Sequence, residues 1–319
     1  MEAQKLFEAA IQADQAGDSN EAIRLYEQSS LLVPTRRAPR VRWAFLLFEQ
    51  GEWKQAIRVG REIIKLWPQI HEGYGVVGLS YQRLGHLKLA EWFLRQAVQI
   101  EETPPLLVLY GSLLYRLDRN DEAEKTLLKA LQLEPDNDEA HYKLAFIYRE
   151  KRNLALAVSH LKRAIEINPH YPQDYALLGS FLVGQKSKAR EAADVLQKAI
   201  DYDPTDVWSI LYLAHALSNL KEIEAADEQF RRLLDLWTDG PQPYWLYGNF
   251  LAEGNEYSEM AEHYLRKAVE TDPEDGVANY YLGKYLLFWD QKEEAKRLLR
   301  KAAHLGHLKA RELLWTEAD

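Results

Sequence analysis

One pattern constrains this chain more than any other: two small residues, twelve or thirteen positions apart, recur every 33 to 35 residues. A fixed period of this length is typical of stacked structural repeats. The first small residue of each pair is Ala10, Ala44, Gly78, Gly111, Ala145, Gly179, Ala214, Gly248 and Gly283. The second is always alanine: Ala22, Ala56, Ala90, Ala123, Ala157, Ala192, Ala226, Ala261 and Ala295.

Small residues at paired positions indicate two helices that cross closely, because Gly or Ala removes the bulk that would hold the backbones apart. Bulky apolar residues at helical spacing, such as Tyr74, Val77 and Tyr81, predict the packing stripe of each first helix. Proline ends the second helix, since it lacks a backbone N–H and disfavours helical geometry in the preceding residue. These prolines are Pro34, Pro68, Pro135, Pro169, Pro204 and Pro273.

The spacing of small residue, alanine and proline within about 34 positions resembles the tetratricopeptide repeat (TPR). The resemblance implies an all-α fold, a right-handed superhelical solenoid of about nine helical hairpins with a C-terminal capping helix. We expect a single domain over residues 1–319. The predicted repeats are approximately 3–36, 37–70, 71–103, 104–137, 138–171, 172–206, 207–240, 241–275 and 276–306, and the cap is 307–319.

Two repeats depart from the pattern. Gly60 stands in repeat two where a bulky residue is expected, and Leu233 replaces the usual small residue in repeat seven. These departures affect the expected local curvature and leave the fold prediction unchanged.

Composition excludes several classes of function. The chain has 40 basic and 49 acidic residues and a net charge of −9, so its overall field repels nucleic acid. It has no cysteine, and its scattered histidines show no metal-ligand spacing. No nucleotide-binding, hydrolase or metalloprotease motif occurs. We therefore predict a protein without catalytic residues, cofactor or metal.

The segment GYGVVG, residues 73–78, spells the glycine pattern of dinucleotide sites, and Glu91 follows near the distance of a ribose-binding acid. That reading needs a preceding strand, whereas the residues before it form a helix ending at Pro68. Gly78 already has a repeat explanation. Gly73 and Gly75 do not, and one hypothesis is that Gly75 leaves a notch for a partner.

The N-terminus has no basic and apolar leader, and no run of about 18 apolar residues follows. We expect a complete cytoplasmic protein that inserts into no membrane.

In TPR proteins the first helices line a concave groove, and the resemblance implies which positions of each repeat face it. Aromatic and basic residues are frequent at those positions here. Some of the aromatic residues are also expected to pack between neighbouring repeats. The predicted partner-binding residues are Arg42, Phe45, Phe48, Arg83, Tyr115, Tyr142, Phe146, Arg149, Trp208, Tyr212, Trp245, Asn249, Tyr280 and Lys284.

Extended aromatic patches mark interaction surfaces. We therefore predict a protein–protein interaction scaffold or adaptor, which binds an extended peptide or helix that is apolar or aromatic with some acidic groups. An alternative is a regulatory or substrate-recruiting subunit of an enzyme complex. Nucleic-acid binding would need a continuous basic groove. Self-association stays open.

The segment RRAPRVR, from Arg36 to Arg42, places four arginines in seven positions. It is either a solvated loop or a docking site for an acidic or phosphorylated segment, since arginine binds such groups in a bidentate manner.

Overall fold

The computed structural model describes residues 1–254 and 258–316, and these residues form nineteen α-helices. The helices are α1 Glu2–Gln15, α2 Ser19–Leu32, α3 Arg37–Glu49, α4 Trp53–Leu66, α5 His71–Arg83, α6 Leu87–Ile100, α7 Pro104–Arg116, α8 Asn120–Leu133, α9 Asp138–Glu150, α10 Leu154–Ile167, α11 Pro172–Leu182, α12 Ala189–Tyr202, α13 Val207–Asn219, α14 Ile223–Leu236, α15 Gln242–Glu253, α16 Ser258–Thr271, α17 Gly276–Phe288, α18 Lys292–His304 and α19 Leu308–Thr316. A 3-10 turn, Lys186–Lys188, precedes α12. The prediction of an all-helical fold is confirmed.

Successive helices pair as hairpins, and the small residues lie where the two helices of a hairpin cross. All nine alanines of the second helices are 0% exposed. A Cβ atom added at Gly111 would come within 2.8 Å of Leu127, and one added at Gly283 within 2.9 Å of Leu299. Because real Cβ atoms do not approach so closely, the crossing itself requires glycine at these positions.

The turn inside seven of the hairpins uses a left-handed residue at a recurring position. Four of these residues are not glycine, and each has φ near +60°. Left-handed backbone costs a residue with a Cβ roughly 1 kcal/mol, so the turn geometry is fixed by the hairpin as a whole. The left-handed residues within the hairpins are Gly17, Gly51, Gly85, Asp118, Arg152, Lys221 and Asp290.

The chain falls into two compact units. The N-terminal unit, Met1–His170, contains α1 to α10, and the C-terminal unit, Tyr171–Asp319, contains α11 to α19. Each unit is a stack of hairpins in which every second helix packs on the following first helix. A single solenoid over the whole chain stays a prediction.

The glycines that the repeat left unexplained lie between α4 and α5. A Cβ atom at Gly60 would lie 2.5 Å from Val77, and one at Gly73 would lie 2.8 Å from Ile63. Each would also lie 3.3 Å from the other glycine's carbonyl oxygen. The two helices therefore approach closely, and Gly60 is small because repeats two and three meet there.

The notch hypothesis for Gly75 is wrong. Gly75 is buried, and a Cβ atom added to it would make an ordinary contact, 3.6 Å from Leu106 of α7. The residue packs against the next repeat and leaves no space that faces solvent.

The last helix, α19, covers the end of the C-terminal unit. Ala310 is fully buried and packs with Leu299 and Ala302 of α18. Helix α19 thus covers an apolar surface, as a terminal cap does in repeat proteins. Residues 317–319 of the predicted cap lie outside the described part of the chain. In that described part, no helix combines the length and the apolar character needed to cross a bilayer.

Candidate functional site

The predicted site residues all lie on first helices, and they form separate groups within each unit. We call the eight in the N-terminal unit the N-surface: Arg42, Phe45, Phe48, Arg83, Tyr115, Tyr142, Phe146 and Arg149. We call the six in the C-terminal unit the C-surface: Trp208, Tyr212, Trp245, Asn249, Tyr280 and Lys284. Arg42, Arg83, Arg149, Trp208 and Lys284 are exposed, and the others are half-buried.

On helices α3 and α5 the N-surface is partly occupied by internal contacts. Phe45 and Phe48 pack against the core of the first hairpins. Arg42 lies 3.4 Å from the carboxylate of Asp14. The guanidinium of Arg83 lies 6.0 Å from the ring centre of Phe48, beside a pocket of about 430 Å³. Of these residues, Arg83 has the most freedom to meet a partner.

On helices α7 and α9 the N-surface is an aromatic group covered by cations. The rings of Tyr142 and Phe146 meet edge to face at 5.0 Å, and the ring of Tyr115 lies 6.4 Å from that of Phe146. Arg149 lies 5.3 Å from the ring centre of Phe146, and Lys143 lies 5.5 Å from that of Tyr142. Cations over ring faces are attracted by the ring quadrupole. Each cation also has a carboxylate nearby, since Lys143 lies 3.9 Å from Glu139 and Arg149 lies 3.1 Å from Glu150.

The arginine-rich segment is structural for the most part. Arg40 is only 7% exposed, and its Nη2 atom donates to the carbonyl oxygen of Ser30 at 3.4 Å. Arg36 lies over the ring of Phe7, and Arg37 lies 3.9 Å from the carboxylate of Glu72. Since each arginine already has a partner within the chain, neither a fully solvated loop nor a free anion site describes the segment.

The C-surface is organised around stacked rings. Trp245 of α15 and Tyr281 of α17 are nearly parallel, with an interplanar angle of 12° and 5.2 Å between ring centres. Tyr280 meets Tyr281 edge to face at 5.2 Å and stacks on His307 at 4.2 Å. Trp208 and Tyr212 form a separate pair on α13, 6.4 Å apart.

A pocket of about 500 Å³ opens beside the stacked pair, and we call it the tryptophan pocket. It is formed by helices α13, α15 and α17 together with the end of α11. The residues that line it are Val183, Gly184, His215, Ser218, Asn219, Trp245, Leu246, Asn249, Phe250, Glu253 and Tyr281. Burial lowers the pKa of His215, although the Glu253 carboxylate opposes this shift. His215 is therefore neutral at pH 7.

The indole N–H of Trp245 is buried and finds no hydrogen-bond partner within residues 1–254 and 258–316. An unsatisfied buried donor costs about 1–3 kcal/mol, and such groups are rare in folded proteins. Core packing alone therefore does not explain tryptophan at this position.

A second pocket, of about 380 Å³, shares Asn249, Glu253 and Tyr281 with the first. Its remaining wall is mostly apolar, and Lys284 stands at its side. The other residues that line it are Ala252, Leu265, Tyr285, Leu287, Phe288 and Leu313.

The site prediction omitted Tyr281, Glu253 and His215, although all three occupy groove positions in the repeat numbering. It also missed a histidine pair. The Nδ1 atoms of His141 and His160 are 2.8 Å apart, and Tyr148 stacks on His160. The sequence could have predicted this pair from the position of the hairpin crossing. His141 lies one turn before Ala145, and His160 lies nearly one turn after Ala157 on the opposing antiparallel helix, so the two side chains meet on the same side of the crossing.

The comparisons with known proteins agree with this geometry. Tetratricopeptide repeat family models match residues 111–151, 138–171 and 195–228. This chain is a tetratricopeptide repeat protein. Such repeats are protein-interaction modules. The described residues of this TPR chain contain no group of three or more His, Cys, Asp or Glu side chains placed to hold a metal ion.

Three similar proteins illustrate the range of contexts. The chain is 25% identical over 206 residues to anaphase-promoting complex subunit CDC16 of Saccharomyces cerevisiae, covering 62% of this chain and 24% of that protein. It is 35% identical over 94 residues to human protein O-mannosyl-transferase TMTC2, covering 28% of this chain and 11% of that protein. The solved structure of PilF from Pseudomonas aeruginosa has a TM-score of 0.60 at 19% identity, covering 68% of this chain and 97% of that one. The TPR chain thus spans less than a quarter of the length of these two curated relatives.

Proposed function

We propose that this TPR chain is a non-enzymatic scaffold that captures segments of a partner protein on the N-surface and the C-surface. The observation that carries the proposal is the stacked pair of Trp245 and Tyr281, which forms a wall of the tryptophan pocket. Tryptophan, tyrosine and arginine dominate the energy of protein interfaces, and both surfaces are built from them. We place this activity in the cytoplasm.

The rigidity of the hairpins supports the proposal. The crossings are close-packed, and the first helices hold the candidate residues at fixed spacing. A preformed surface loses little conformational entropy on binding, so the ordering cost falls mainly on the partner. An extended or helical segment with apolar and aromatic side chains matches the half-buried rings. On the N-surface, acidic groups in that segment would complement Arg83, Lys143 and Arg149.

Selection from a library of displayed random peptides on the full chain provides ligands that test this proposal. We expect Trp245→Ala and Phe146→Ala to weaken the selected peptides at least tenfold, because truncation of a central aromatic residue costs about 2 kcal/mol. Trp92→Ala is the matched control, since Trp92 is 51% exposed on the second helix α6. Calorimetry that shows equal affinities in all three variants would contradict the proposal.

A second candidate is that the chain is a regulatory or substrate-recruiting subunit of an enzyme complex. The similarity to CDC16, a subunit of the anaphase-promoting complex, favours it. This candidate predicts that the chain copurifies with a catalytic subunit from its own cells, and that the Trp245→Ala or Phe146→Ala variant loses this subunit. Light scattering on the purified chain tests self-association independently.

A further inference from the structure

The tryptophan pocket contains unused hydrogen-bond acceptors. Asn249 donates to the Glu253 carboxylate at 3.3 Å, and Asn219 donates to the carbonyl oxygen of Val183, also at 3.3 Å. The amide oxygens of both asparagines accept no hydrogen bond from the described residues. Two amide oxygens and a carboxylate therefore remain available to a donor.

Among the described residues that line the tryptophan pocket, Glu253 alone carries a formal charge, and that charge is negative. Glu253 is exposed and forms no ion pair within the described part of the chain. Lys221 lines a neighbouring pocket that also contains Glu253, but it does not line this one. His215 is neutral at pH 7 for the reason given above. Lys284 lines the adjacent apolar pocket and is absent from this wall. The electrostatics of the tryptophan pocket therefore favour a cation.

The stacked rings add a second attraction for a cation. The ring faces of tryptophan and tyrosine carry negative potential, and a planar guanidinium stacks on such faces better than an ammonium group does. A guanidinium also has five N–H donors, which matches the unused acceptors, and it is weakly hydrated, so it tolerates partial burial. A volume of about 500 Å³ leaves room for a long side chain.

We propose that the tryptophan pocket binds an arginine side chain of the partner, with its guanidinium against the Trp245–Tyr281 pair and hydrogen-bonded to Glu253. This inference rests on the proposed function and names the partner's chemistry at one position. The adjacent apolar pocket shares Tyr281 and Glu253, so it takes the bulky apolar residue next to that arginine.

The test uses three short blocked peptides that differ at one position: leucines flank arginine, lysine or citrulline, the neutral near-isostere of arginine. The readout is the indole N–H signal of Trp245 in a nitrogen–proton NMR spectrum of the full chain, assigned with Trp245→Phe. We expect the arginine peptide to shift this signal to saturation. The citrulline peptide should bind about fivefold more weakly, because it lacks one charge-assisted hydrogen bond. The affinity of the lysine peptide should lie between those of the other two.

Glu253→Gln should weaken the arginine peptide about fivefold and leave the citrulline peptide unchanged, because only the arginine carries the charge that the variant ceases to attract. Glu228→Gln, an exposed residue on the second helix α14, is the matched control and should change neither affinity. Equal binding of arginine and citrulline peptides, no shift of the Trp245 signal, or no effect of Glu253→Gln would overturn the inference.

Failure of this inference is distinguishable from failure of the proposed function. If peptides from the displayed library lose affinity in Trp245→Ala but not in Glu253→Gln, the scaffold function stands and the arginine assignment fails. If those library peptides are insensitive to both Trp245→Ala and Phe146→Ala, the scaffold function fails as well.

Discussion

The two compact units build different surfaces on the same hairpin. On the N-surface, cations cover aromatic rings: Arg83 lies over Phe48 and Arg149 over Phe146. In the C-terminal unit, the rings of Trp245 and Tyr281 stack on each other beside the carboxylate of Glu253. The small residues at the crossings recur in every repeat, whereas the residues at the groove positions differ between the two units. A repeat fold therefore determines which surface is available to a partner, but it does not determine the chemical character of the partner.

The largest expected effect tests what the two units share. Gly111→Leu in the N-terminal unit and Gly283→Leu in the C-terminal unit should each destabilise the protein by about 3 kcal/mol, because a side chain at the crossing overpacks against Leu127 or Leu299. Thermal unfolding followed by circular dichroism measures the loss. Gly184→Ala is the control, since nothing lies within 4 Å of its added Cβ atom. A large loss in one unit only would show that the crossings are not equivalent.

The next effect distinguishes the units by their histidines. The carbonyl oxygen of Pro135 can only accept, so the His141 Nε2 atom that lies 3.1 Å away carries the hydrogen. The Nδ1 atom of neutral His141 then accepts from Nδ1 of His160. Burial, followed by the field of His141, lowers the pKa of His160 to about 4 from an ordinary value of 6.5.

Stability should therefore fall as the pH drops from 6.5 to 4, because the unfolded His160 binds a proton in that window and the folded one does not. Because one pKa unit corresponds to about 1.4 kcal/mol, we expect a loss of up to about 3 kcal/mol from this group. In urea unfolding at several pH values, His160→Gln should flatten the dependence more than His215→Gln in the C-terminal unit. If His160→Gln and His215→Gln change the pH dependence equally, the histidines do not distinguish the two units.

A smaller effect sharpens the contrast in charge. Arg83→Gln should weaken library peptides that carry acidic residues about threefold, since it removes a cation from the N-surface. It should leave the arginine peptide of the tryptophan pocket unchanged. Arg58→Gln, exposed on the second helix α4, controls for net charge. If calorimetry shows that Arg83→Gln and Arg58→Gln weaken the binding of acidic peptides equally, the effect comes from the net charge of the protein and not from the N-surface.

The smallest effect concerns the unpaired indole. Trp245→Phe keeps a ring against Tyr281 and removes the buried N–H that has no partner in the described residues. The smaller ring leaves a cavity, which destabilises the protein, whereas removal of the unsatisfied donor stabilises it. Because the two effects oppose each other, the free energy of unfolding should stay within about 1 kcal/mol of that of the original protein. A loss of several kcal/mol in urea unfolding would show that the indole nitrogen has a partner the fold depends on.

Much of the fold could be predicted because its determinants lie at fixed spacing in the chain. The nine alanines and the recurring glycines mark hairpin crossings, and each marked alanine is inaccessible to solvent. The sequence did not show which of the predicted site residues are accessible to a partner. Phe45 and Phe48 occupy groove positions of their repeat, as Trp245 does of its own, but they pack on the core, and only the neighbouring helices determine this.

Other features required contacts that no local pattern contains. The glycine at position 60 looked like a departure from the repeat until α5 was seen to approach it closely. Arg40 looked like part of a solvated arginine cluster, yet it is buried, and it donates a hydrogen bond to the carbonyl oxygen of Ser30 on the preceding helix α2. The role of Gly60 and the burial of Arg40 both depend on the distance between neighbouring helices, and the residue pattern of a single helix does not determine that distance.

The sequence by itself therefore determined the helical hairpin and its repetition, because steric exclusion at the crossing acts between residues only about sixteen positions apart in the chain. The tertiary structure alone decided which groove residues meet. The tryptophan pocket joins residues of α13, α15 and α17 with two residues that follow α11. The burial that keeps His215 neutral exists only when these elements are packed together. Burial and electrostatics depend on all neighbours at once, whereas the repeat depends on two positions at a time.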